Sequence, residues 1–323
     1  MFPRRIAPLS SRKVIYAAIV GNLLVAATKF GAAAWTGSSA MLSEAVHSLV
    51  DTGNSVLMLY GLYRAKEPPD HEHPFGHGRE IYFWSFIVAL MVFALGAGVA
   101  LYEGVAHILD PKPIQNVEVN YAVLTLSVLF DGTTWWLALR NFKGRMHYSN
   151  LFRAIRRSKD PASFLVLLED SAALIGLIIA FAGTYFSVRF DFPVLDGVAS
   201  ILIGLVLAMT AALLARETKG LLIGEGADQP IVDSIMRIAN EMEGVAHANG
   251  IITVHLGPRQ IVVALSVELA DELTTPEIEA KIVELERRVR HLHPAVVALF
   301  IKPQSAGGYK DTLARRYGRL PGH

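Results

Sequence analysis

The sequence predicts an α-helical membrane protein, with six transmembrane helices followed by a small cytoplasmic α+β domain of αββαβ order. Three observations predict it. The chain has 323 residues, 52% hydrophobic and 18% charged, against about 45–50% and about 25% in soluble domains, and the apolar excess lies before residue 216. Six apolar runs come close to the roughly 20 residues that a helix needs to cross a bilayer core of about 30 Å. Basic residues crowd alternate connections, which sets an orientation.

The first run, Val14–Trp35, is longer than the 7–15 apolar residues of a cleaved leader and carries Lys29 inside it, so it reads as a retained helix. Ala40–Tyr63 is interrupted by Glu44, His47, Asp51 and Asn54, which fits a helix whose polar groups face a bundle interior. Ile81–Ile108, Val119–Leu139, Ala162–Val188 and Val194–Leu214 complete the set. In the third, Ala94, Gly96, Gly98 and Ala100 read as a close-packing stripe. Arg4, Arg5, Arg12 and Lys13 precede the first span, and Arg64, Lys66 and Arg79 follow the second. Lys143, Arg145, Arg153, Arg156, Arg157 and Lys159 follow the fourth, and Arg216 and Lys219 the sixth. The opposite connections hold only Lys112 and Arg189, so both termini are expected in the cytoplasm. With the basic start leading directly into the first helix, the expected location is the cytoplasmic membrane of the cell.

The domain after the spans has its own pattern. Pro230–Met242 places Ile231, Ile235, Ile238 and Met242 on one side of a helix. Ile251–Leu256 and Ile261–Leu269 are β-branched strands around Gly257-Pro258. Thr275–Leu292 is helical again, and Val296–Ile301 is the last strand. The expected division is an N-terminal segment 1–13, a membrane domain 14–216, an α+β domain 217–303 and a flexible tail 304–323.

Several function classes drop out. Without cysteine there is no disulfide framework, thiolate nucleophile or Cys-type zinc site. Thirty basic against 29 acidic residues give no global attraction to nucleic acid. His-Glu-x-x-His and Gly-x-Ser-x-Gly are absent, which argues against the commonest hydrolytic chemistries and against an enzyme.

What remains is polar chemistry inside the membrane, where a charge costs at least about 2.5 kcal/mol and needs a reason. Glu44, His47 and Asp51 fall at i, i+3 and i+7, on one helix face, with His47 and Asp51 one turn apart. Glu169 and Asp170 interrupt the fifth span, Asp131 the fourth and Asn22 the first. Imidazole with carboxylate suits Zn²⁺, Mn²⁺, Fe²⁺, Co²⁺ or Ni²⁺, and the same groups exchange protons. The alternative is a set of interhelical ion pairs and hydrogen bonds that only hold the bundle together. After the second span, Glu67-Pro68-Pro69-Asp70-His71-Glu72-His73-Pro74-Phe75-Gly76-His77-Gly78 has the density of a surface metal site, or is a solvated loop capping the third helix. His247, His255, His291 and His293 receive no role.

The stretch Thr36-Gly37-Ser38-Ser39-Ala40-Met41-Leu42-Ser43-Glu44-Ala45-Val46-His47-Ser48-Leu49-Val50-Asp51, with His73-Pro74-Phe75-Gly76-His77-Gly78-Arg79-Glu80, resembles the cation diffusion facilitator family over residues 14–303. Glu169-Asp170-Ser171-Ala172-Ala173 and Leu221-Leu222-Ile223-Gly224-Glu225 resemble its branch of zinc transporter 9-like proteins. The resemblance implies a homodimeric exporter of divalent metal, zinc first, working against protons with no resident cofactor. It implies a membrane site of four ligands, two from the second span and two from the fifth. His47, Asp51 and Asp170 match three of them, while the fourth position is Val166, with Glu169 and Asp131 as the candidate replacements. It also implies a loop site of Asp70, His73 and His77. Phe300 stands where many members carry a tail-domain histidine, so the tail domain is expected to dimerise and not to sense metal. A membrane-embedded metalloenzyme and a structural membrane protein are the rival readings.

Overall fold

The computed structural model describes residues 9–145, 155 and 158–317. Its chain divides into two compact units, Met1–Arg64 with Glu80–Lys219, and Ala65–Arg79 with Gly220–His323. Arg4, Arg5, Arg153, Arg156 and Arg157, used above for orientation, lie outside the described residues.

The first unit is a bundle of six long helices: α1 (Leu9–Thr36), α2 (Ser39–Arg64), α3 (Glu80–Leu109), α4 (Val117–Arg145), α5 (Pro161–Arg189) and α6 (Val194–Ile223). Among the described residues, α3, α4 through Arg140, α5 and α6 are long and apolar enough to cross a membrane. α1 and α2 have 28 and 26 residues, and α2 turns Glu44, His47 and Asn54 into the bundle, where all three are buried. The core packs small residues against larger ones, with Ala32, Ala97, Ala100, Ala180 and Ala199 meeting Met41, Leu124, Leu177 and Ile203.

Helix ends supply the polar fastenings. The chain reverses between α1 and α2 at Gly37, whose φ of +70° favours glycine. The first backbone N–H groups of α2 have no partner within the helix. Asp196 of α6 takes them: its Oδ2 accepts from Ser39 N–H at 2.5 Å and Ala40 N–H at 3.3 Å, and its Oδ1 from the Ser38 hydroxyl at 2.8 Å. A buried carboxylate at a helix N-terminus also meets the positive end of the helix dipole. Farther along, the Asn120 amide donates to the Thr184 hydroxyl at 2.8 Å, and the Trp135 indole to the Ser171 hydroxyl at 2.9 Å, joining α4 to α5.

The small-residue stripe in α3 is only partly used. Gly96 and Ala100 are buried, whereas Ala94 and Gly98 are exposed. A π-helical turn at Val92–Ala97 shifts the helical phase inside that stripe. The closest approach lies one turn on, at Gly104, where a Cβ would stand 2.7 Å from the Gly197 carbonyl of α6.

In the second unit, α7 (Gln229–Asn240), β1 (Val245–Gly257), β2 (Gln260–Leu269), α8 (Thr275–Leu292) and β3 (Val296–Pro303) form a three-stranded sheet of order β1-β2-β3. The β1–β2 hairpin is antiparallel, and α8 is the crossover that makes β2 and β3 parallel. Ile235 and Ala239 of α7 and Leu285 and Val289 of α8 bury their apolar stripes against Val263, Leu265 and Val267. At the start of α8, the Thr274 backbone N–H and hydroxyl both donate to Glu277 Oε2 at 2.7 Å. Those bonds hold the Glu277 carboxyl below the usual glutamate range.

Three boundaries differ from expectation. β1 begins at Val245, not Ile251, because bulges at Val245/His247 and Ala248/Gly250 break the alternation that marks a strand. The loop Ala65–Arg79 belongs to the second unit: Gly78 lies against the Leu256 carbonyl and Gln260, and Phe75 meets Phe300 edge-on at 6.4 Å. The tail expected to be flexible from residue 304 forms α9 (Ala306–Tyr317). Polar anchors explain α9, which its Gly-rich sequence did not advertise. Gln304 N–H donates to Val267 O at 2.8 Å, the Asn249 amide donates to Gln304 O at 2.7 Å, and Tyr309 packs on Gly250.

Candidate metal centre

The helical period of α2 puts His47 and Asp51 on its inner face, with His47 Nδ1 3.4 Å from Asp51 Oδ1 and no hydrogen-bond geometry between them. Beside them lies a cavity of about 240 Å³ lined by Ser48, Asp51, Asp131, Val166, Glu169 and Asp170. His47 is 1% exposed and is not among the residues that line this cavity. Both His47 ring nitrogens, Asp51 Oδ1 and Asp170 Oδ2 are buried without a hydrogen-bond partner among the described residues. Each such atom costs about 1–3 kcal/mol to leave unsatisfied, so their convergence on α2 and α5 needs a reason, and a cation between them supplies one.

The remaining candidates are already engaged. Asp131 lines the cavity but has Lys29 Nζ 3.5 Å from its Oδ2. The same ammonium sits 3.3 Å from Glu44 Oε2 and donates to the Ser48 hydroxyl at 2.8 Å. Lys29 is fully buried, so α1 carries a fixed cation that answers two carboxylates, one on α2 and one on α4. Glu169 Oε1 accepts from the Asn54 amide at 2.7 Å, which aims the carboxylate at α2. Val166 brings no donor to the cavity wall. The structure thus places Asp51, Asp170 and Glu169 on one cavity, with His47 one helical turn from Asp51, and no three of their donor atoms come within 4.8 Å of one another.

Sequence reading had missed Lys29 as a participant. The signal was present, since a lysine inside an apolar run requires a buried acid. In the sequence alone, Lys29 argues only against a cleaved leader.

The loop triad, by contrast, is assembled. Asp70, His73 and His77 form, among the described residues, the one group with three donor atoms within 4.8 Å of one another. His73 Nδ1 lies 3.3 Å from Asp70 Oδ1, and His77 Nε2 3.5 Å from Asp70 Oδ2. The His73 backbone N–H donates to Asp70 Oδ1 at 2.6 Å and holds that carboxyl below its ordinary range, so it stays an anionic donor. His77 is buried while Asp70 and His73 are half exposed, an arrangement open to solvent on one side. Two imidazoles and a carboxylate are the donor set of a zinc-type site. Of the unassigned histidines, His293 meets the Ser234 hydroxyl at 2.9 Å and His255 Nδ1 lies 3.2 Å from Gly257 O.

The cation efflux transmembrane domain matches residues 15–223, most of the chain and all six helices. The chain belongs to the cation diffusion facilitator family. This is a transporter family, whose relatives include the metal tolerance protein C4 of Arabidopsis thaliana, 34% identical over 70% of this chain and 50% of that protein. The mitochondrial proton-coupled zinc antiporter SLC30A9 of Homo sapiens is 33% identical over 72% of this chain and 40% of its own length. The chain therefore spans half or less of these two relatives. The cation-efflux pump FieF of Yersinia enterocolitica is 26% identical over 93% of this chain and 94% of its own. Family membership makes this a multi-pass membrane protein.

Proposed function

We propose that this protein exports divalent metal from the cytoplasm in exchange for protons, with His47, Asp51 and Asp170 holding the metal and Glu169 in the position left by Val166. One observation carries the reading: Asp51 and Asp170 line one cavity, His47 Nδ1 lies 3.4 Å from Asp51, and each of the three has a buried polar atom without a hydrogen-bond partner among the described residues. In that cavity a divalent ion and protons compete for the same atoms, because metal binding to carboxylate and imidazole requires their protons to leave. Alternating access around such a site converts a proton gradient into metal movement. Lys29 lies within 3.5 Å of both Glu44 and Asp131, which sets these two carboxylates apart from the ligands proposed to exchange metal for protons. Zinc ranks first as substrate, on the family and on the names of relatives, followed by manganese, iron, cobalt and nickel. The distribution of basic residues supports placing both termini in the cytoplasm, with the cell membrane as the proposed location and a homodimer as the proposed assembly.

The test is Zn²⁺ uptake into proteoliposomes under an imposed pH gradient. Native protein is expected to accumulate metal, with Asp51→Ala and Asp170→Ala inactive though still correctly folded by gel filtration. Equal flux in native protein and Asp51→Ala would end the assignment.

A further inference from the structure

The first unit holds a second cavity, of about 580 Å³, at the N-terminal end of α2, lined by Ser38, Ser39, Glu103, His107, Asp110 and Lys112 among others. Ser39 and Asp51 are twelve residues apart along α2, about 18 Å of helix, so this space is separate from the first cavity. Its chemistry comes from α3. Glu103 and His107 are one turn apart, and side chains at i and i+4 share a helix face. His107 is only 8% exposed and lines the cavity, yet its Nε2 is buried without a hydrogen-bond partner among the described residues.

Asp196 lies within charge–charge range of His107, but no neighbouring charge hydrogen-bonds its Nε2 among the described residues. Asp196 has both carboxylate oxygens committed to Ser38, Ser39 and Ala40. Lys112 pairs with Asp110 at 3.1 Å, and both are largely exposed at the rim. Glu103 makes no ion pair among the described residues. A glutamate and a histidine whose Nε2 has no hydrogen-bond partner among the described residues thus line one space roomy enough for a hydrated ion, in the donor combination that suits borderline divalent metals.

We propose that Glu103 and His107 form a second divalent-cation site, completed by water and by Asp110 when it leaves Lys112. Binding there stands on this cavity alone. Its role as a stopping point for metal leaving the first cavity rests on the transport reading above.

The experiment uses the full chain with any tag removed and Co²⁺ as the probe, read by visible absorption and by equilibrium dialysis. In the background His47→Ala, Asp51→Ala, His73→Ala, His77→Ala, one Co²⁺ per chain is expected. Adding His107→Gln should abolish it, and adding Glu103→Gln should weaken it at least tenfold. In otherwise native protein, His107→Gln should lower the Co²⁺ count by one per chain, which decides the matter if the background fails to fold. No bound ion in the background, or the same count with and without His107, would overturn the proposal. Active transport by Asp51→Ala would instead sink the transport reading and leave this site standing.

Discussion

Replacing Lys29 by methionine keeps the length and apolar stem of the side chain and deletes its charge, leaving Glu44 fully buried and Asp131 mostly buried without their cation. At 3.3 Å and an effective dielectric near 20, the Lys29–Glu44 attraction is about 5 kcal/mol. Breaking one partner of a buried pair costs about 3–5 kcal/mol, because the other charge is stranded. At about 2–4 °C per kcal/mol for a unit of this size, the melting temperature of the purified protein in detergent should fall by roughly 6–20 °C. The second arm is Lys29→Met with Glu44→Gln, which strands only Asp131. It should recover at least about 1 kcal/mol of the loss, since groups in direct contact couple by about 0.5–3 kcal/mol. The assay is thermal loss of the monodisperse gel-filtration peak. A single variant melting within about 2 °C of native protein, or a double variant losing the sum of both single effects, would refute the reasoning, since both outcomes deny the charge pairing.

Gly176 makes room for Glu44: a Cβ there would stand 2.2 Å from Glu44 Oε1, so Gly176→Ala should destabilise the bundle by about 1–3 kcal/mol in the same melting assay. Gly250→Ala should displace α9, because its Cβ would fall 1.9 Å from the Tyr309 hydroxyl, and faster amide exchange in residues 306–317 is the readout. Glu277 supplies the pH dependence. Its folded pKa is depressed by the Thr274 backbone N–H and then by the Thr274 hydroxyl, so its stabilisation is fully present above the ordinary value of about 4.3 and is lost as pH falls through the lowered one. The difference in amide exchange between native protein and Glu277→Gln in the first turn of α8 should therefore be large at pH 7 and vanish in acid. A difference that persists unchanged at low pH would show that the cap does not depend on this charge.

The helices were legible because a membrane demands long apolar runs, and the C-terminal elements because their buried faces repeat with helical or strand period. His47 and Asp51 were legible as a pair for the same reason: one helical turn separates them. Elements without a clean period were misread. The first half of β1 is bulged, and α9 is held by hydrogen bonds from Asn249 and Gln304 instead of by an apolar stripe.

Six helices, a trailing α+β domain, and which acids and histidines share a helix face can all be read from the residues alone, since they follow from periods of a few residues. Which charges are spent on each other is settled by helix packing. Lys29 and Asp131 are 102 positions apart, Asn54 and Glu169 are 115, and Ser38 and Asp196 are 158. No local pattern encodes such pairs. They are fixed when helices pack and buried charges must find partners, and that step separates the engaged Asp131 from the unpartnered atoms of His47, Asp51 and Asp170.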